Sequence, residues 1–357
     1  MKKLVVILTV VLVLILVLAA CGTSEQPSAS SSPPPSEASE TSKAPDTPKT
    51  EPPASSPTAE PEKQLRFTLI LPMPRNDTWG PAADGFEEAC KALGITPIVL
   101  VPGQAHDPNE LNSLVETAIA EKVDALITVC YNPEAQDSAF KKLDDAGIPF
   151  CLINSDSETS NRLAFLGTGL SIGTVGGKAI SDAMAGKEIH CVSASFTLTS
   201  TYINQMKDAY LDELRKHPAG FTETVLLDTG NTVLTTLQAW SDALMTYPEI
   251  NAGFNIGGAG GYCAVQAIQE MKLNPDDFCI IGMDDVPKTM DAIRDGLLYG
   301  TMTQNFYRMG YEPVGWLKDF ILEGKRPANV INDSGTLLVT KANIDTYDLD
   351  MRDPSAW

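Results

Sequence analysis

The chain has 357 residues, with 46 acidic against 26 basic side chains, a formal net charge of −20 and a pI near 4.5. So acidic a surface repels nucleic acid and anionic lipid headgroups, which makes both poor partners for it. Beyond roughly the first sixty residues, helix and strand patterns alternate, which predicts an α/β body with mainly parallel sheet, about 290 residues long and large enough for two domains of about 150.

The N-terminus reads as an export and anchoring signal. Lys2 and Lys3 open the chain, and residues 4–20 are apolar except for Thr9. Leu18-Ala19-Ala20-Cys21 then matches the lipobox of bacterial lipoprotein signal peptides. This predicts a signal peptide over residues 1–20 and an acylated, palmitate-bearing Cys21 that fixes the protein to a cell membrane. The alternative is an uncleaved membrane helix, for which the apolar run is short. Residues 21–64 are Ser, Pro, Thr, Glu and Ala with almost no large apolar side chain. Such a stretch cannot bury enough surface to fold, and its prolines make it a semi-extended tether.

Folded sequence begins with a strand over residues 66–72. A polar loop carrying Asn76 and Trp79 follows, then a helix over 81–93 that stops at Gly94. Strands are expected at 97–101, 125–130, 149–153 and 164–167. Between them come a helix opened by Asp107-Pro108, a second over 133–146 and a third over 171–185. A second series starts with a strand at 189–192 and a helix at 201–216. It continues with a strand at 224–227, a helix at 232–245 and a strand at 252–256 that opens into Gly257-Gly258-Ala259-Gly260-Gly261. A helix to residue 272 precedes two further strands, one ending at Asp284 and one at Gln304. A helix enters at Pro287, a long one covers 307–322, and a last strand lies near 337–339.

Several patterns carry chemistry. Gly169-Leu170-Ser171-Ile172-Gly173 spells G-x-S-x-G between a short strand and a helix, the context of a nucleophile elbow. The histidines downstream are His190 and His217, and neither lies in the last third of the chain, so a serine hydrolase at Ser171 is disfavoured. The glycine run at 257–261 departs from a dinucleotide fingerprint, because Cys263 stands where the third glycine belongs. A tight strand-to-helix turn is the favoured reading, with an anion held by the backbone amides at the helix start as the alternative. Six of the seven cysteines lie in the body, at Cys90, Cys130, Cys151, Cys191, Cys263 and Cys279. No C-x-x-C pair exists and the three histidines are scattered, so neither a metal nor a cofactor is expected, and mostly free, buried thiols are. Asn76, Trp79, Asn154, Asp156, Asn204, Asp284 and Gln304 fall at strand tips or helix starts. In an open α/β sheet ligands bind at the carboxyl ends of strands. Amides and a carboxylate engage hydroxyl pairs, and an indole covers an apolar ring face, so the set suits a small neutral polyhydroxyl solute.

Over residues 65–341 the sequence resembles the periplasmic binding proteins of type I, in the ribose- and galactose-binding group. The resemblance is carried by Asn76 to Trp79 followed by Asp84-Gly85-Phe86, and by Asp124-Ala125-Leu126-Ile127. Ala146-Gly147-Ile148-Pro149, Gly176-Gly177-Lys178, Ile281-Gly282-Met283-Asp284 and Gly300-Thr301-Met302-Thr303-Gln304 carry the rest. It implies two doubly wound parallel-sheet lobes joined by a three-segment hinge, closing on a ligand between them. Residues 65–168 with 305–333 would form the N-terminal lobe, and 169–304 with 334–357 the C-terminal lobe.

The resemblance also implies a solute-binding protein, not an enzyme, that captures a sugar or sugar-like ligand. It would be a monomer, anchored outside the membrane on a Gram-positive cell surface. Its partner would be the permease of an ABC importer or, alternatively, a membrane receptor kinase. A repressor of the same fold would need a helix-turn-helix where the signal peptide stands. Asn76 and Trp79 match the first-loop polar and stacking positions, and Asp284 and Gln304 match the carboxylate and amide used on sugar hydroxyls. Three positions depart from ribose-type members. Asn154-Ser155 replaces Asp-Arg, Asn204 replaces an arginine, and Gly257-Gly258 replaces Asn-Asp. Two arginines are thereby lost, and an amide is not an equivalent donor, which disfavours ribose itself. Asn154-Ser155-Asp156, residues 200–206 and Lys216-His217-Pro218 are closer to members that bind a furanosyl autoinducer or deoxysugars.

Overall fold

A computed structural model describes residues 64–347 except Gly169 and Asn231. The expected signal peptide, the acylated Cys21, nearly all of the tether and residues 348–357 lie outside the described residues. The chain begins β1 (Arg66–Ile70), α1 (Gly80–Leu93), β2 (Thr96–Leu100), α2 (Pro108–Ala120), β3 (Ala125–Thr128), α3 (Pro133–Asp145), β4 (Phe150–Ile153) and β5 (Ala164–Gly167). It continues α4 (Ser171–Ala183), β6 (Ile189–Ser195), α5 (Thr201–Leu214), β7 (Phe221–Asp228), α6 (Val233–Thr246) and β8 (Ala252–Ile256). Then follow α7 (Gly260–Glu270), β9 (Cys279–Met283), α8 (Pro287–Arg294), β10 (Gly300–Gln304), α9 (Phe306–Glu323), β11 (Ile331–Asp333) and β12 (Thr336–Thr340).

The strands form two six-stranded sheets. The first has the order β11-β5-β4-β3-β1-β2 and is parallel throughout. The second has the order β12-β10-β9-β8-β6-β7 and is parallel except for β12, which runs against β10. The chain passes from sheet to sheet after β5, after β10 and between β11 and β12. Strands covered by helices on both faces must be apolar along their whole length. β3, β4, β5 and β9 are accordingly buried at every position.

Helices α2, α3, α5, α6 and α9 start where a side chain satisfies a free amide. Asp107 accepts from the Asn109 and Glu110 amides, and Pro108 takes the first helical position. Asn132, ahead of Pro133, does the same for Ala135. In each lobe one helix pair is brought together by glycine. A Cβ at Gly85 of α1 would strike the Tyr307 carbonyl of α9, and one at Gly310 the Ala82 carbonyl. In the other lobe, a Cβ at Gly173 of α4 would strike the Met206 carbonyl of α5. The second glycine of the G-x-S-x-G stretch therefore serves helix packing. All six body cysteines are free and buried.

Candidate functional site

The loops after the carboxyl ends of both sheets converge on one cavity of about 550 Å³. That lies within the usual range for small-molecule sites, ~300–1,000 Å³. The β1–α1 loop supplies Asn76, Thr78 and Trp79, the end of β4 leads to Asn154, and the end of β9 leads to Asp284. Gln304 closes β10, beside a passage between the sheets.

At its centre is a hydrogen-bond relay running from one lobe to the other. The Tyr131 hydroxyl donates to Asn154 Oδ1 at 3.2 Å. Asn154 Nδ2 donates to Gln304 Oε1 at 2.9 Å, and Gln304 Nε2 donates to Asp284 Oδ1 at 2.9 Å. Asn154 and Asp284 both have left-handed backbones, φ 61° and 66°. Asn and Asp tolerate that conformation better than most residues, which is what lets each turn inward at its strand tip. All four members are buried. Burial pushes the Asp284 carboxyl up to about 7; the Gln304 hydrogen bond opposes this and the neighbouring Asp285 charge adds to it.

Trp79 is buried edge-on against Phe306, with ring centroids 4.9 Å apart. Asn76 borders the cavity but is exposed. Its amide oxygen accepts from the Thr78 and Trp79 backbones, so it also builds the turn that seats the indole.

Two of the residues expected here are turned elsewhere. Ser155 donates its hydroxyl to the Cys130 carbonyl at 2.7 Å and does not line the cavity. Asn204 donates to the Leu198 carbonyl at 2.9 Å, closing the loop before α5, while Ile203 and Met206 face the cavity instead. Asp156 is also diverted, into a buried ion pair with Arg162 at 2.6 Å. Ser171 donates to the Thr168 carbonyl, and neither histidine that a hydrolase would need is beside it. His217 lies between Ser181 and the Lys187 carbonyl, and His190 faces Glu188.

Other lining residues were not singled out from the sequence. His106, Tyr131 and Phe196 form an aromatic cluster with centroid separations of 5.0–6.0 Å, and Phe196 belongs to the opposite lobe from the other two. Burial pushes the His106 imidazole down to about 4, so it is neutral. Tyr131 and Phe196 follow the ends of β3 and β6, so the strand-tip rule, applied to aromatics as well as to polar residues, finds both. Asn255 is fully buried in β8, and its oxygen accepts from the Trp240 indole N–H at 2.9 Å. Because an indole nitrogen only donates, this fixes the amide's orientation and leaves Nδ2 as its donor.

The glycine run forms the opposite wall. Gly257, Gly258 and Gly260 line the cavity, and a Cβ at Gly258 would sit 3.3 Å from Asp284 Oδ2. A Cβ at Gly260 would collide with the Asn255 side chain. Among the described residues, no group of three or more His, Cys, Asp or Glu side chains is placed to hold a metal ion.

A family model described as a periplasmic binding protein domain matches residues 67–326. The chain belongs to that family. It is 24% identical over 299 residues to a D-apiose import binding protein of Paraburkholderia graminis, covering 79% of this chain and 89% of the relative. An ABC transporter solute-binding protein of Burkholderia graminis in complex with D-arabinose superimposes with a TM-score of 0.75 at 21% identity, over 81% of this chain and 99% of that one. A XylFII–LytSN complex aligns with a TM-score of 0.69 at 25% identity, over 78% and 98%. The two-lobed α/β architecture with three connecting segments is the fold of this family.

Proposed function

We propose that the protein captures a small sugar or sugar-like polyhydroxyl ligand between its lobes and delivers it to the permease of an ABC importer. The observation that carries this reading is the relay from Tyr131 to Asp284. It places amides and a carboxylate from both lobes on one cavity, where one ligand can engage both lobes at once. Asn76, Trp79, Asn154, Asp284 and Gln304 are its contact residues, and Ser155 and Asn204 act behind them. The D-apiose import relative supports import of a sugar. No catalytic step is assigned to the site. The reading includes an acyl anchor on Cys21, with residues 21–64 holding a monomeric receptor off the outer face of the membrane.

A second reading is favoured by the likeness to the XylFII–LytSN complex. In it the same closure presents the bound ligand to a membrane receptor kinase instead of a permease.

A thermal-shift screen tests the first reading. Pentoses including D-apiose and D-arabinose, hexoses, deoxysugars, the furanosyl autoinducer, nucleosides and amino acids form the panel. A ligand that binds the folded state alone raises Tm by mass action. A shift confined to one sugar class supports sugar capture, and a shift confined to nucleosides or amino acids overturns it. Radiolabelled palmitate incorporation that survives Cys21→Ser would overturn the anchor.

A further inference from the structure

Resting on the sugar-capture reading, we propose that the ligand carries a protonated amine beside its hydroxyls, and that Asp284 is the group that recognises it.

The first ground is direction. A carboxylate only accepts, so every donor in the relay from Tyr131 through Asn154 and Gln304 points toward Asp284 Oδ1. Oδ2 takes none of them. It faces the space left by Gly258, where a Cβ would sit 3.3 Å away. The relay thus fixes the carboxylate and leaves one oxygen turned to the cavity.

The second ground is charge. A buried carboxylate is costly unless a cation accompanies it. Among the described residues, no arginine lines this cavity. His106 lines it as a neutral imidazole, and Tyr131 bears a proton that burial holds firmly. Lys288 lines it too, but it is exposed, with Nζ 5.3 Å from the centroid of the Tyr262 ring. Asp77 lines the cavity as an exposed side chain, and Asp285, which accepts from Tyr347, lies next to Asp284 in the chain. Asp285 therefore adds negative charge to Asp284, and among the described lining residues the one side-chain cation, Lys288, stands exposed.

The third ground is the wall. Trp79, Tyr131, Phe196 and Phe306 line the same cavity, and aromatic faces attract ammonium groups. A net charge of −20 draws cations toward the molecule as a whole. A hydroxyl can hydrogen-bond Asp284, but it does nothing for its charge. An ammonium does both.

The test is calorimetric titration of the full chain with matched probes. D-glucosamine is set against D-glucose, D-galactosamine against D-galactose, and D-mannosamine against D-mannose. At pH 7.5 at least one ammonium probe is expected to bind tenfold or more tightly than its neutral twin. The free carboxylate takes up a proton as pH falls through about 7, so this preference shrinks toward unity at pH 5. Asp284→Asn removes the preference while still melting cooperatively, and Asp77→Asn keeps it. Neutral twins binding as tightly in every pair, or a preference that survives Asp284→Asn, would overturn the proposal and leave sugar capture standing. Silence from all the probes overturns the ammonium proposal and counts against sugar capture as well.

Discussion

The two walls of the cavity differ in how much bare backbone they present. The N-terminal lobe fills its side with bulky groups on loops, namely Trp79, His106, Tyr131 and Asn154. The C-terminal wall brings side chains such as Phe196, Ile203, Met206 and Asp284 as well, but interrupts them with bare backbone at Gly230, Gly257, Gly258 and Gly260. One lobe shapes the site by what its side chains occupy, and the other also by what its glycines leave open. Taking atoms away should therefore damage the first wall most, and adding atoms should damage the second.

Trp79→Ala gives the largest effect. It empties a buried, edge-packed position and is expected to cost about 3–5 kcal/mol of stability in urea denaturation. A loss under about 1 kcal/mol would mean the indole is not a packed part of its wall.

Asp284→Asn comes next, with the opposite sign. Burial raises this carboxyl from 3.8 to about 7. A carboxylate raised in the folded state contributes stability that is full below the unfolded value and lost as pH rises through the folded one. The amide escapes that loss. Without ligand, the variant should be more stable than wild type by about 2–4 kcal/mol at pH 8 and little different at pH 4. Equal stability at pH 8 would argue that the carboxylate is well solvated.

Gly260→Ala tests the other wall. The added methyl meets the Asn255 side chain, which Trp240 holds from the far side, and should cost about 1–3 kcal/mol and weaken ligand binding with it. A neutral outcome would show that the C-terminal wall yields. Asn204→Ala is the smallest and sharpens the contrast from outside the cavity. It removes one loop hydrogen bond, expected to cost about 0.5–1.5 kcal/mol, with ligand affinity unchanged. A tenfold fall in affinity would put Asn204 back in the site.

Much of the fold was legible because buried parallel strands leave unbroken apolar runs, as at β3, β4 and β9, and because Asp107-Pro108 announces its helix. β11 was not. Ile331–Asp333 is short, half exposed, and held by pairing with β5 rather than by any pattern of its own. In the site, Asp284 and Gln304 were legible as the polar ends of apolar strands. Ser155 and Asn204 were misplaced because small polar side chains in loops bind nearby backbone carbonyls as readily as a ligand, and sequence does not say which way they turn. His106 was missed because its place depends on a left-handed turn before α2 and on Phe196 arriving from the other lobe.

The segment holding β11 and β12 has a consequence for chain integrity. Each of these strands is the outermost of its sheet, one in each lobe, and only two residues separate them. A protease cut or a premature stop before Ile331 strips both sheets together and uncovers β5 and β10 as unpaired edges. Exposed edges recruit other strands. A chain shortened there becomes a seed for aggregation at two points, so the final strand-forming stretch is a checkpoint that both lobes must pass together.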